Sequence, residues 1–283
     1  MSPVRTAEIE DLSAVGEQLD GEARRRFRER YPDLRVAPVA VVIPAFDEQE
    51  SIAGVLEAIP SRASGLALDV IVVDDGSSDA TAQIALDHGA RVARLERNSG
   101  QGAALRVGYR LAREHGARFV VTLDADGQWD PADIASVLQP VVDGEADLVL
   151  GSRVLGEAHA QDALRSIGVR VFAALLRLLT GVRLTDTSSG LRAMAAEITA
   201  RVPQEQPQYQ SSELLVGAIL HGYRVAERPV IMRKRSHGVS KKGGNLLYGM
   251  RYARVLLGTW WRVRRSVRRG RSAGARGVGA SDR

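Results

Sequence analysis

The sequence predicts an α/β fold: a mostly parallel sheet flanked by helices on both faces. Short runs rich in Val, Ile and Leu alternate with segments of helical spacing from residue 39 to residue 150. Three of those runs end in loops bearing Asp or Glu, which places a polar crevice at the sheet's carboxyl edge, where open α/β sheets bind ligands. With 283 residues, 45% apolar, and 28 glycines, the chain can bury a sizeable core and make many turns.

Residues 1–35 form an N-terminal helical extension. Ile9, Leu12, Val15, Leu19, Ala23, Phe27 and Tyr31 recur every three or four positions, a break is expected near Asp20-Gly21, and Pro32 ends the run. The main domain, residues 36–245, opens with the strand Val39–Ile43, stopped by Pro44, and a helix from Glu50 to Ile59. A strand at Leu68–Val73 leads into Asp74-Asp75-Gly76-Ser77-Ser78-Asp79 and a helix through Leu86. Arg91–Leu95 is a third strand, and the glycine-rich Asn98–Gly102 opens a helix to about Glu114. Phe119–Leu123 is a buried strand, followed by Asp124-Ala125-Asp126-Gly127-Gln128-Trp129. A helix at 131–142 and a strand at 147–150 lead to Gly151-Ser152-Arg153.

Residues 162–180 read as a helix with a wide apolar sector, Phe172 among its outward residues, flanked by Arg165, Arg170 and Arg177. Core packing and a membrane-surface helix suit that pattern equally. The loop 184–190 precedes further helix; 212–220 is helical and 225–232 an added strand. Arg235–Lys242 is a loop, 246–264 an amphipathic C-terminal helix, and 265–283 a basic tail whose composition suits disorder.

Charge is unevenly spread. From residue 231 onward, 15 Lys and Arg face one acid, Asp282, a net of +14; the whole chain carries +5, so residues 1–230 carry −9. Such a basic end suits an anionic partner: lipid headgroups, polyphosphate or nucleic acid. Trp260 and Trp261 are its main aromatics, so bases are poorly served and nucleic acid is not the expected partner. There is no cysteine, which excludes disulfides and thiolate metal sites. No stretch approaches the roughly 18 apolar residues of a membrane span. A cytoplasmic protein, peripherally associated with the membrane's cytoplasmic face, is expected. The oligomeric state is not legible.

Asp124 and Asp126 stand one residue apart after a strand, so extended backbone sends both to one side. Carboxylates so close raise each other's pKa, and a hard divalent cation removes the conflict. Mg²⁺ typically takes one or two carboxylates plus substrate phosphates. Taken alone, the stretch also reads as two solvated loop aspartates. The five histidines have no metal-ligand spacing among them.

Six motifs in order then carry a resemblance. They are Pro44–Glu48, Val73–Asp79, Asp124–Gln128, Gly151–Arg153, Asp186–Gly190 and Arg235–Lys241. Together they resemble a family 2 glycosyltransferase with the GT-A fold, in the branch similar to dolichyl-phosphate mannosyltransferase, over roughly residues 39–245. The resemblance implies inverting transfer of a hexose from a GDP-mannose or UDP-glucose type donor to a polyprenyl phosphate. It implies that Pro44, Phe46 and Glu48 line the nucleotide pocket, with Val73 touching the base by its backbone and Asp75 binding base or ribose. Asp124, Ala125 and Asp126 would face the donor, with Asp124, Asp126 and Gln128 holding Mg²⁺ or Mn²⁺ on its diphosphate. Arg235, Ser240 and Lys241 would close over it as a flap, where His237 sits. Arg153 and Arg165 would receive the acceptor phosphate, a task suited to guanidinium geometry. A phosphate acceptor is already anionic, so no dedicated base is required. The chain departs from its relatives at Gln101, where some carry lysine, and at Val169, where lipid-phosphate enzymes often carry serine.

Other readings compete. A related enzyme would glycosylate a small soluble acid such as a phosphoglycerate. A haloacid-dehalogenase-like phosphatase shares the Asp-x-Asp-Gly pattern, but on its first strand, whereas three strands precede it here. A nucleotidyltransferase needs a glycine-rich basic loop after the first strand, which Pro44–Glu48 is not. A silent nucleotide-sugar binder would not need the intact Asp124/Asp126 pair.

Overall fold

The computed structural model describes residues 20–158, 163–202, 204, 210–234 and 253–265; for 163–167 it describes backbone alone. Arg235, His237, Ser240 and Lys241, and the tail from 266 onward, lie outside the described residues.

Helix α1 covers residues 20–30. It is followed by β1 (Val39–Ala45), α2 (Ile52–Ala58), β2 (Arg62–Ala63), β3 (Leu66–Asp74), α3 (Thr81–Asp87) and β4 (Arg91–Arg94). Next come α4 (Gln101–Glu114), β5 (Phe119–Thr122), a 3₁₀ turn at Pro131–Asp133 and α5 (Ile134–Val142). The second half holds β6 (Leu148–Ala158), α6 (Ala163–Thr180), β7 (Arg192–Ala195), α7 (Ile198–Arg201), α8 (Gln210–Leu220) and β8 (Val225–Met232). Helix α9 covers residues 253–265.

The sheet runs β2-β3-β1-β5-β7-β6-β8, with β4 also on β3. β1 pairs in parallel with β3 (Val39↔Leu68) and with β5 (Val39↔Phe119). The chain thus leaves β1 toward β3 and β4 on one side and returns to β5 on the other. That reversal opens a crevice beyond the strands' carboxyl ends. β7 runs antiparallel between β5 and β6, whereas β8 is parallel to β6.

Every residue of β1 is buried, as expected for a central strand covered on both faces. Its side chains alternate: Ala40 and Val42 join α4, α8 and α1, whereas Val39, Val41 and Ile43 join α2 and α5. α1 belongs to this core through Ala23 and Phe27. Phe27 packs on Tyr31 with ring centroids 4.8 Å apart, and the Tyr31 hydroxyl accepts from Val92 N of β4 at 3.3 Å. The N-terminal helix therefore protects an edge strand.

Several sequence expectations change. β2 is an added strand, so four rather than three precede β5 and its carboxylate loop, and β6 runs on to Ala158 instead of stopping at 150. The segment after residue 190, read from sequence as helix, forms β7, because Arg192–Ala195 pairs on both sides inside the sheet, overriding alanine's helical preference. Phe172, read as facing outward, is half-buried and packs on the core with Leu175, Leu176 and Leu179. The helical phase instead exposes Val171, Ala174 and Leu178.

Candidate active site

The loops after β1, β3 and β4 are laced into one wall of the crevice. Ser77 Oγ accepts from Asp47 N at 2.9 Å, Thr81 Oγ1 accepts from Glu48 N at 2.8 Å, and Asp47 Oδ1 accepts from Ser78 N at 2.9 Å. Ser51 Oγ donates to Glu48 Oε2 at 2.9 Å. Gly76 has φ +74°, and a Cβ there would fall 2.5 Å from the Arg97 carbonyl carbon, so only glycine lets the β3 and β4 loops meet.

Asp75 fastens the glycine-rich loop. Its two oxygens accept from Ser99 N at 2.7 Å and Gly100 N at 2.8 Å. Burial pushes its carboxyl up to about 6, against the pull of those two amides. Pro44 is buried at the end of β1, and Phe46 and Glu48 are half-buried beyond it. Val73 lies inside β3, between Pro44 and Ala93, with its side chain in the core. The crevice wall is formed by the residues that follow it.

β5 ends at Thr122, and the loop beyond it carries the carboxylate pair. Asp124 is half-buried: Gln101 Nε2 donates to its Oδ1 at 2.9 Å and Trp129 Nε1 to its Oδ2 at 3.2 Å. Asp126 is buried, with Oδ1 accepting from Gln128 N at 3.1 Å across the Gly127 turn. Ala125 is buried between them. No group of three or more His, Asp or Glu converges among the described residues. The donor set is therefore two hard carboxylates beside an amide, Gln128. It fits a divalent ion whose shell is completed by substrate phosphate oxygens and water.

Opposite stands the loop 184–190. Arg153 is buried within β6, next to the irregularity after Ser152, and its guanidinium grips Asp186. Nε donates to Oδ2 at 2.6 Å, Nη2 to Oδ1 at 3.0 Å and to Ser188 Oγ at 2.9 Å. Nη1 points at Met232 Sδ, 3.3 Å away. This differs from the expected direct contact with an acceptor phosphate: Arg153 is engaged by its own chain, holding a loop. Glu227 of β8 holds the same loop, accepting from Thr185 N and Asp186 N at 2.8 Å each. Burial raises its pKa. Arg165 falls in the first turn of α6, where side chains are not described. Val169 is buried, so that position faces the interior.

The structure brings Asp124, Asp126, Gln128, Phe46, Glu48 and Asp75 to one sheet edge, where the sequence pattern puts them. Sequence reasoning missed Trp129, Gln101 and Glu227 as holders of the site. A tryptophan or glutamine carries no motif of its own, and Glu227 lies far away in sequence.

The crevice beyond the carboxyl ends of the parallel strands, with the paired-carboxylate loop at its edge, is the place where open α/β sheets bind ligands. The family model described as Glycosyl transferase family 2 matches residues 40–201. The chain belongs to that family and is a glycosyltransferase. It is 30% identical to the dodecaprenyl-phosphate galacturonate synthase of Rhizobium johnstonii, over 85% of this chain and 72% of that one. It is also 30% identical to the polyprenol monophosphomannose synthase of Mycolicibacterium smegmatis, over 72% and 81% of the two chains. Among solved structures, the glucosyl-3-phosphoglycerate synthase of Mycobacterium tuberculosis, in complex with phosphoglyceric acid, shares the fold. Its TM-score is 0.63 at 22% identity, covering 82% of each chain.

Proposed function

We propose that the enzyme moves a hexose from a nucleoside diphosphate sugar to a polyprenyl phosphate, inverting the anomeric centre. The carboxylate pair beyond β5, tied through Gln101 to the glycine-rich loop that Asp75 fastens, is the observation that supports the donor half. Asp124, Asp126 and Gln128 would hold Mg²⁺ or Mn²⁺, which supplies charge stabilisation for the departing nucleoside diphosphate. The loops at 46–48 and 75–78 orient base and ribose. The acceptor phosphate attacks without a protein base, being already anionic.

The acceptor half is supported by the relatives that carry polyprenol or dodecaprenyl phosphate in their names. A second support is the surface made by α6 and α9. Trp260 Nε1 donates to Leu179 O at 2.8 Å, tying the two helices. Leu178 (82% exposed), Val171 (56%), Leu257 and Trp261 (57%) stand outward. Arg170, Arg177, Arg254, Arg264 and Arg265 are exposed on the same helices, which contain no acid between 163–180 or 253–265. Exposed apolar side chains rimmed by arginine suit an anionic lipid surface. No described helix is long and apolar enough to cross a membrane.

The test is incubation with a panel of nucleotide sugars and Mg²⁺ or Mn²⁺, with polyprenyl phosphate or 3-phosphoglycerate, read by mass spectrometry. Glycosylated lipid, lost in Asp126→Ala and in excess chelator, is the expected product. Efficient glycosylation of phosphoglycerate with no lipid product would replace the lipid by a soluble acceptor.

A further inference from the structure

Trp129 follows the carboxylate loop directly, and nothing in the proposed chemistry uses it. Its surroundings give it a specific task. The indole Nε1 donates to Asp124 Oδ2 at 3.2 Å, while the Arg153 guanidinium lies 5.0 Å from the ring centroid. Arg153 in turn grips Asp186 through two hydrogen bonds, at 2.6 and 3.0 Å. Asp186 begins the short loop that ends at Gly190. A Cβ on Gly190 would lie 2.0 Å from Asp124 Oδ2 and 2.5 Å from Trp129 Nε1, so the loop's far end rests on the same hydrogen bond. The contacts close a ring: Asp124, Trp129, Arg153, Asp186, Gly190 and back to Asp124.

We propose that Trp129 is a positioning residue: it fixes the orientation of Asp124 toward the donor's metal ion and locks that carboxylate to the 186–190 loop. The inference rests on the reading that Asp124 and Asp126 hold the donor-bound ion. A half-buried carboxylate next to another would otherwise rotate about its χ angles. Gln101 on Oδ1 and Trp129 on Oδ2 stop that rotation, and each oxygen keeps lone-pair capacity for an ion. Both donors are neutral, so the carboxylate's charge is not cancelled as a lysine or arginine would cancel it. Outer hydrogen bonds of this kind orient metal-binding groups and strengthen them. The stacked Arg153 holds the indole plane while serving Asp186, so one ring serves both sides of the crevice.

A purely structural role is the competing account, since Trp129 also packs with Val121, Leu123 and Ile134. Trp129→Phe separates the two: it keeps the apolar ring and the face beneath Arg153 and removes the N–H donor. Mn²⁺ binding to the protein with UDP or GDP is measured by electron paramagnetic resonance, without turnover, beside thermal melting. The expected result is about tenfold weaker Mn²⁺ binding in Trp129→Phe, with melting nearly unchanged. In the Asp124→Asn background the same substitution is expected to add nothing. Wild-type Mn²⁺ affinity in Trp129→Phe, or a further loss in the Asp124→Asn background, overturns the proposal. Wild-type protein that binds no Mn²⁺ with either nucleotide, while still transferring sugar in chelator, overturns the metal reading and this inference together.

Discussion

Replacing Arg153 by alanine separates a loop-holding arginine from a ligand-binding one. Asp186 and Arg153 are both buried, and the guanidinium supplies two of the carboxylate's hydrogen bonds. Among the described residues, Arg153→Ala leaves Asp186 with Ser188, whose N and Oγ lie 3.1 and 3.2 Å from Oδ1, and the amide of residue 153 at 3.4 Å. Removing one partner of a buried pair typically costs about 3–5 kcal/mol. For a chain of this size, about 2–4 °C of melting temperature accompanies each kcal/mol, so Tm is expected to fall by roughly 6–20 °C. Differential scanning fluorimetry without substrate reads this directly. In a double-mutant cycle, Arg153→Ala with Asp186→Asn should cost less than the sum of the two single changes, since the stranded charge is gone. A Tm within a degree or two of wild type, combined with a raised acceptor KM, would refute the loop-holding role and restore Arg153 as a phosphate ligand.

Gly190→Ala places a methyl carbon 2.0 Å from Asp124 Oδ2, so the carboxylate must shift by about 1 Å; kcat/KM should fall on the order of 100-fold with the fold retained. Steady-state kinetics with circular dichroism checks this, and an unimpaired mutant would mean that Asp124 is free to move. Burial pushes the Asp75 carboxyl up to about 6, so nucleotide affinity measured by calorimetry is expected to drop as pH falls through that range, and Asp75→Asn should flatten the profile. Its effect on stability has the opposite sign. The folded-state pKa lies above the ordinary 3.8, so this group favours the fold most below that value and loses its contribution as pH rises through about 6, visible in melts from pH 4 to 7. Leu178→Asp should reduce binding to anionic vesicles about tenfold or more, the value of one buried leucine, and wild-type binding should weaken with salt; binding to neutral and anionic vesicles that is equal at every salt concentration would count against the α6–α9 surface.

The sheet was legible because its strands announce themselves. Val39–Ile43 is a continuous apolar run and Phe119–Leu123 is interrupted by Thr122 alone, as a doubly covered parallel strand requires, and each stops at a proline or an acid. β7 was not legible, since Arg192-Ala-Met-Ala has neither alternation nor β-branched residues. Only its place between β5 and β6 makes it a strand. The same limit applied to the site. Asp124 and Asp126 could be read as a pair because extended backbone fixes their side. Arg153 could be read as a cation at the right edge, but its partner Asp186 lies 33 residues away. Whether an arginine meets a ligand or its own chain depends on that long-range contact, which local pattern does not encode.

Charge placement explains why donor binding needs more than the crevice itself. Residues 1–230 carry −9, and the crevice edge is lined by Glu48, Asp75, Asp124 and Asp126, so a nucleoside diphosphate approaching alone meets like charge. Two things offset that repulsion. One would be the divalent ion that Asp124, Asp126 and Gln128 are proposed to hold. The other is the basic stretch that begins where β8 ends. Arg233 N donates to Gln128 O at 2.7 Å, its guanidinium pairs with Asp130, and Met232 bridges Trp129. The chain therefore enters residues 235–242, with Arg235, Lys241 and Lys242, from an anchor on the carboxylate loop itself. On the proposed reading, acid in the wall would make the crevice weak for a bare anion and stronger for an ion-bound one. Uncomplexed nucleotide should then bind poorly even though every residue of the pocket is in place.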